Sequence, residues 1–324
     1  MKEYGGYLPL EIVEKNEYYR EDNGYTVWRV NSGRSAIVAA LRMHDVNRVF
    51  IPYYNCHVVE DTLISYGYSV EKYKINSNFM PILDNISLDD WIIYIDYFGI
   101  CKEQMKEKVL RLYKNVIFDN TQAFFSKPII GDNIFNVYSC RKFFGVSDGA
   151  YIISNRKENI DKQYDIDLSW ERCTYLIKSY ETGTNGAYKD NLQSEENIGL
   201  EVKLMSKFTK KLLGGIDYNF IKEKRNLNYN YLVKQLQSIN KLKLDIDDNI
   251  APMVYPLLIH NDELRLHLIN NKVYVPQWWR YLIEQLSDND FEVELSKYLF
   301  PIPIDQRYTL KDMNEIVNII IQGI

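Results

Sequence analysis

The stretch NVYSCRKFFGVSDGAYIISN, Asn136 to Asn155, decides how this chain is read. Its pattern predicts a strand over 134–139, a polar-basic turn holding Lys142, a glycine-spaced loop, and a second strand over 150–154. A lysine at the end of a buried strand, ringed by Tyr138, Phe143 and Phe144, is oddly placed, because an ammonium is costly to bury without a partner. Partly desolvated lysines, or lysines near other cations, lose their proton more readily and become amine nucleophiles of the Schiff-base kind. The plainer reading is a surface lysine on a turn. The rest of the chain decides between the two.

Upstream, VIFDNTQAFF (Val116 to Phe125) predicts an apolar strand that ends in Asp119, with Gln122 three residues on. A carboxylate there either caps the next turn or pairs with a protonated ring nitrogen in a cofactor pocket. Further back, SGRSAIVAALR (Ser32 to Arg42) predicts a helix capped by Ser32 or Asn31, with Gly33 allowing close backbone approach. The free N–H groups and positive dipole end of a helix bind phosphate readily. Between these pieces, RVFIPYYNCHVVEDTLISYGYSVEKYKI predicts a strand from Arg48, a turn at Pro52, a helix from about Cys56 to Tyr66 and a strand after Gly67. Strand and short amphipathic helix alternate as in a doubly wound α/β fold. DDWIIYIDYFGI (Asp89 to Ile100) adds a hydrophobic strand running into a turn with Asp96 and Tyr97.

Composition narrows the function classes. The 324 residues suffice for one large α/β domain and a smaller one, and the net charge of −5 has no long run of either sign. That leaves no footprint for nucleic acid or an anionic membrane surface. Cys56, Cys101, Cys140 and Cys173 are widely spaced with no CxxC pair, which argues against zinc and against a disulfide framework and fits a reducing cytoplasm; no metal site is expected. The N-terminal sequence does not read as a signal peptide, and no apolar run reaches the roughly 18 residues of a membrane span.

A phosphate-binding turn, a strand-end aspartate and a lysine, in that chain order, resemble the fold-type I pyridoxal-phosphate enzymes. More closely, the chain resembles the DegT-type aminotransferases, which act on nucleotide-linked keto-sugars, and the resemblance covers nearly its whole length. It implies an α/β fold: an N-terminal arm over 1–30, a large cofactor-binding domain over 31–235 with a mostly parallel seven-stranded sheet flanked by helices, and a small α+β domain over 236–324. In that family an SGTSA-like turn gives backbone amides to the cofactor phosphate. This implicates Gly33, Arg34 and Ser35, with Arg34 a departure that adds charge. Cys56 falls at the position that stacks on the pyridine ring, with the flatter His57 beside it; His57 is either the stacking group or a helix-start residue. Asp119 is implied as the partner of the pyridine nitrogen, Gln122 as a contact to the ring face or its hydroxyl, and Tyr97 as a residue near the site mouth. The loop KFFGVSDGA aligns with the family's KNLTTGEGG-type loop from Lys142, the implied Schiff-base lysine. The family's serine five residues before the lysine is Val137 here, and Ser139 takes the phosphate role in an S-x-x-K spacing.

Downstream, residues 156–200 read as an irregular, mobile lid. Gly199 to Leu236 resembles the family's GYNYRMSE-type stretch and the long helix after it. There an Asn and an Arg serve the neighbouring subunit's phosphate site, and here Glu201 and Lys203 replace them. In the C-terminal part, MVYPLLIH predicts a strand, ELRLHLINNKVYVPQWW a helix, turn and strand, and a final helix starts at Thr309 with Asp312 in its first turn. Trp278, with Gln277, Trp279 and Arg280, either lines a substrate mouth or packs in a core.

The resemblance therefore implies a cytoplasmic pyridoxal-phosphate aminotransferase. It would act as a homodimer with shared sites and move an amino group from an amino acid, with glutamate as the expected donor, to a keto-sugar nucleotide. Two alternatives stand beside it. One is a relative that catalyses dehydration, a class that carries histidine in place of the lysine. The other is a non-catalytic binding or assembly protein, suggested by Glu201, Lys203 and the altered stacking position.

Overall fold

The computed structural model describes residues 4–13, 15–21, 24–245 and 249–324. The chain runs β1 (Thr26–Val30), α1 (Gly33–Leu41), β2 (Arg48–Pro52), α2 (His57–Ser65), β3 (Ser69–Ile75), β4 (Pro81–Ile82), β5 (Trp91–Ile95), α3 (Glu103–Leu112), β6 (Asn115–Asp119), β7 (Ile134–Ser139) and β8 (Ala150–Ser154). There follow α4 (Thr174–Gly186), α5 (Tyr188–Glu196), α6 (Lys207–Gly214), α7 (Tyr218–Leu236), β9 (Val254–Leu258), α8 (Leu264–Asn270), α9 (Leu282–Gln285), α10 (Phe291–Tyr298), β10 (Leu299–Pro303) and α11 (Leu310–Gln322).

The first eight strands form one sheet in the order β1-β8-β7-β6-β5-β2-β3-β4. From β7 to β3 neighbours are parallel. β8 runs antiparallel between β1 and β7, and the two-residue β4 runs antiparallel to β3, making one strand more than expected. The central segments WIIYI, NVIFD and IFNVYS are buried at every residue. They are continuous rather than alternating because both faces of a parallel sheet are covered. One face packs on the small, apolar helix α1, which buries Ala36 to Leu41. The register pairs Ile95 with Asp119 and Asp119 with Val137, so the carboxyl ends of β5, β6 and β7 reach the same edge. Ligand sites of open α/β sheets lie outside such strand ends.

A second core gathers the C-terminal half of α7, the β9–β10 pair, α8 and α11. Helix α11 starts in a capping box between Thr309 and Asp312. Among the described residues no helix is long and apolar enough to cross a membrane.

Three expectations change. Residues 26–30 are an edge strand of the sheet rather than part of an arm, because Thr26 to Val30 pair residue by residue with Ser154 to Ala150. The segment 156–200 is not an irregular lid: it holds the α4–α5 helical hairpin, in which α4 buries no residue and Gly183 breaks the helix at φ +74°. The strand expected after α8 does not form. Pro276 lacks the ladder donor, and Trp279 sits at a left-handed φ of +50°.

Candidate active site

Helix α1 opens at the carboxyl edge of the sheet. Ser32 Oγ accepts from the Ser35 amide at 3.2 Å, and the two hydroxyl oxygens lie 2.8 Å apart. Gly33 is required here: a Cβ on it would stand 2.8 Å from Thr121 Cγ2 and 4.0 Å from Ser139 Cβ. The start of α1, the turn after β6 and the end of β7 therefore converge. Asp119, at the end of β6, is 3% exposed and accepts from the Thr121 amide at 2.9 Å. Lys142 Nζ donates to Thr121 Oγ1 at 3.1 Å. Thus Gly33, Asp119, Ser139 and Lys142 gather around Thr121, a residue the sequence reading passed over.

Lys142 is not buried among Tyr138, Phe143 and Phe144. Its side chain lies on the exposed side of the turn, while those rings turn away into an aromatic core with Tyr19, Phe124 and Phe125. The turn is firmly held. Gly149, at φ +113°, donates to the Asn31 carbonyl at 2.7 Å, and a Cβ there would meet Thr209 Cγ2 at 3.0 Å. Asp148 accepts from the amide and hydroxyl of Ser206, each at 2.8 Å, and from the Thr209 hydroxyl. Burial pushes the Asp148 carboxyl above the ordinary carboxylate range. Behind the turn, the Arg225 guanidinium lies 4.6 Å from the centre of the Phe143 ring.

The other expected residues divide. Gln122 is buried and its Oε1 accepts from the Phe98 amide at 3.0 Å, tying the β6 turn to a β5 turn in which Phe98 has φ +60°. Tyr97 is not at the mouth: it is 1% exposed, and its hydroxyl donates to the Tyr54 carbonyl at 2.7 Å inside the core. Asp96 is equally buried and belongs to a network with Lys106 and Ser126. Cys56 stands at the N-cap position of α2 and makes no side-chain cap bond. His57 is exposed, with its ring edge-on to Tyr281 at 6.1 Å. Trp278 is half-buried, stacked on Phe98 at 5.7 Å and on Trp279 at 5.9 Å, so it packs beside the β5 turn.

Glu201 and Lys203 do not point competing charges at the α1 turn. Their backbone lies along it: Asn31 donates through its amide to the Lys203 carbonyl at 2.9 Å and through Nδ2 to the Glu201 carbonyl at 3.3 Å. The two side chains pair with each other, Lys203 Nζ to Glu201 Oε2 at 3.0 Å, with the Glu201 side chain 68% exposed.

Two arginines adjoin this cluster, Arg34 after Gly33 and Arg141 before Lys142. Arg34 Nε donates to the Gly199 carbonyl at 2.9 Å, and burial, together with the neighbouring Arg141, pulls its pKa down. Arg141, directly before Lys142, grips Glu195 of α5 with both terminal nitrogens, one contact being 2.9 Å. Burial opposes the Arg141 charge, but the Glu195 carboxylate outweighs it and raises the pKa. Arg141 was missed from sequence because a cation beside a lysine reads as surface. Its only signal was adjacency to Lys142.

No family model and no curated protein matches this sequence. Solved structures do match. The sugar aminotransferase CalS13 from Micromonospora echinospora is 15% identical, with 92% of this chain and 87% of that one covered at a TM-score of 0.63. The putative sugar aminotransferase Spr1654 from Streptococcus pneumoniae, in its PMP form, is 13% identical over 91% of this chain and 86% of that one, at 0.62. GDP-4-keto-6-deoxy-D-mannose-3-dehydratase of E. coli, with hydrated PLP bound, is 12% identical over 91% and 87% respectively, at 0.59. Strand order, the α1 turn and these likenesses agree: the chain has the fold of the fold-type I pyridoxal-phosphate-dependent sugar aminotransferases.

Proposed function

We propose that this protein is a pyridoxal-phosphate-dependent aminotransferase that moves an amino group from an amino acid, glutamate being the expected donor, to a keto-sugar nucleotide. The observation that carries the reading is the meeting of Gly33, Asp119, Ser139 and Lys142 around Thr121 at the carboxyl edge of the sheet. The residues present fit the cofactor. A Cβ at Gly33 would fill the approach to α1, whose first amides, with the Ser35 and Ser139 hydroxyls, form a donor set for a phosphate. Bound pyridoxal phosphate supplies an electrophilic aldehyde and a ring that takes up electron density.

This chain's own groups do the rest. The Lys142 amine would hold the cofactor through its aldehyde, and when free would serve as the base that carries the proton to and from the substrate α-carbon. The Asp119 carboxylate would favour a proton at the ring nitrogen. Its fixed bond from the Thr121 amide keeps it aimed from the strand end. The hydroxyl of Thr121 orients the lysine amine through the 3.1 Å contact. Gln122, locked to the Phe98 amide, supports the same turn.

The solved relatives include sugar aminotransferases and a keto-sugar nucleotide dehydratase, which supports an activated keto-sugar as acceptor. Lysine at 142, where the dehydrating relatives carry histidine, favours amine transfer over dehydration. A non-catalytic binding role is not favoured, because Glu201 and Lys203 neutralise each other beside the α1 turn. Four unpaired cysteines are in keeping with a cytoplasmic setting, and closed two-fold pairing is the commonest assembly for an enzyme of this size.

The test is an absorbance spectrum after addition of pyridoxal phosphate and dialysis, for the wild type beside Lys142→Ala. A visible band kept by the wild type and lost in the variant is the expected result. No band in either protein overturns the reading. Turnover of keto-sugar nucleotides with glutamate then identifies the acceptor.

A further inference from the structure

We propose that Arg141 is the recognition site for the carboxylate of the amino-acid donor, with Arg34 beside it, and that Glu195 of α5 occupies this site as an internal competitor. The inference rests on the aminotransferase reading and assigns one of its substrate contacts.

The geometry of the Arg141–Glu195 pair is the starting point. Both terminal nitrogens of Arg141 face the two oxygens of one carboxylate, the fork-to-fork arrangement by which guanidinium groups recognise carboxylates. The two partners differ in setting. The Arg141 side chain is only 12% exposed, whereas that of Glu195 is 48% exposed. The cation is thus fixed in the protein and the anion stands at the rim, where solvent screens it and another carboxylate can replace it. Arg141 Nε is buried without a hydrogen-bond partner among the described residues, and Tyr175 lies against the same guanidinium, so the group is held in place from behind. Beside it, Arg34 spends its donors on a neutral carbonyl, that of Gly199, and shares with Arg141 the single carboxylate of Glu195 as the nearby acidic group that favours its charge. Arg141 directly precedes Lys142 and Arg34 directly follows Gly33, so the two guanidinium groups make a place for an anion beside the residues gathered around Thr121.

The hairpin that carries Glu195 is suited to yield. Helix α4 buries no residue, and Gly183 interrupts it before α5 begins. Towards Lys142 α5 is fastened through Glu195 to Arg141, Ser194 donates to the Arg172 carbonyl at 3.2 Å, and Gly199, beyond the end of the helix, accepts from Arg34. A donor carboxylate that takes Arg141 leaves the guanidinium paired and frees the near end of α5. Binding of the donor and loosening of the hairpin are then one event. A plain structural tie between Arg141 and Glu195 would instead hold the hairpin whatever the ligand.

Glutarate, a dicarboxylate with no amino group to react, separates these cases by calorimetry on the cofactor-treated wild type, Glu195→Gln and Arg141→Gln. Removing the internal competitor should tighten glutarate binding several-fold, and removing the guanidinium should weaken it by about tenfold or more. Amide hydrogen exchange over 188–196 should quicken when glutarate binds the wild type, and should be fast in both variants without it. In turnover, Arg141→Gln should raise KM for the donor far more than it lowers kcat. Glutarate binding to Arg141→Gln as tightly as to the wild type overturns the proposal. So does an unchanged affinity in Glu195→Gln accompanied by a loosened hairpin, which would make the pair a structural tie only. If no visible band is retained, the aminotransferase reading fails and takes the donor assignment with it. Glutarate binding would still report whether Arg141 holds a carboxylate.

Discussion

Lys106 Nζ lies 2.6 Å from Asp96 Oδ2, and their side chains are 4% and 1% exposed. This sealed ion pair sits beneath the strand-end turns that build the cleft. Asp96 also accepts from the Cys101 amide and the Ser126 hydroxyl, and Lys106 donates to Asn120, the residue after Asp119. The turns after β5 and β6 thus share one buried charged anchor. Breaking one side of such a pair leaves an unanswered charge, at a cost of about 3–5 kcal/mol. Lys106→Met should lose stability on this scale in urea unfolding. Lys106→Met combined with Asp96→Asn should lose less than the sum of the two single changes, since each single variant strands the other's group.

Gly33 and Thr121 are predicted to couple through space. Gly33→Ala places a methyl 2.8 Å from Thr121 Cγ2 and should cost about 1–3 kcal/mol by overpacking. Thr121→Ser removes that methyl and keeps the hydroxyl that Lys142 donates to. The double variant should therefore regain most of the stability lost, as read by denaturant melts of all four proteins. Additive losses would mean that the strain lies elsewhere in the α1 turn.

Asp119→Asn should leave the fold intact, because an amide oxygen can still accept from the Thr121 N–H. It should nonetheless cut amine transfer by at least about two orders of magnitude, the scale on which charge-stabilising groups act. Melting temperature and turnover measured on the same preparation check the two halves. Equal activity in the variant would remove Asp119 from the chemistry.

His44 is predicted to make stability pH-dependent. Its ring packs on Trp91 at 4.7 Å, its Nε2 is buried without a partner among the described residues, and burial, with Arg156 nearby, lowers its pKa from 6.5. The folded chain binds this proton less readily than the unfolded chain. The contribution is therefore complete above 6.5 and is lost as pH falls through the depressed value. Thermal unfolding followed across that range should show a decline in the wild type that His44→Gln flattens.

Much of the architecture was legible because the sheet interior writes itself in uninterrupted apolar runs. Strands β7 and β8 have the bounds their sequences predict, and Ser32 and Thr309 cap the helices expected of them. The turn motifs were legible as chemistry, since a strand-end aspartate, a capped helix and a lysine each carry a local signature. What stayed hidden depends on neighbours distant in sequence. The hairpin α4–α5 has no buried stripe in its first helix, so hydrophobic periodicity had nothing to report. Tyr97 and Lys142 exchange their expected settings, the tyrosine buried and the lysine exposed, because side-chain direction at a strand end is set by the turn and not by composition. The importance of Thr121 appears only once Gly33 is folded against it.

The placement of β8 has a consequence for how the protein is made. Among the described strands β1 pairs with β8 alone, Val30 facing Ala150, and its only other backbone partner among the described residues is the still later segment at Leu204. The first strand to leave the ribosome is thus among the last to find its partner. Until the chain as far as Ser154 has emerged, β1 is an unpaired apolar strand, and the edge of β7 is open to wrong neighbours. Closure of this long loop fastens the α1 turn beside Lys142, so the cleft comes into being at a late, concerted step. Chains halted before β8 would hold most of the parallel sheet but no site, and a chaperone holding the nascent N-terminus would be guarding the half of the cleft that is waiting for the other.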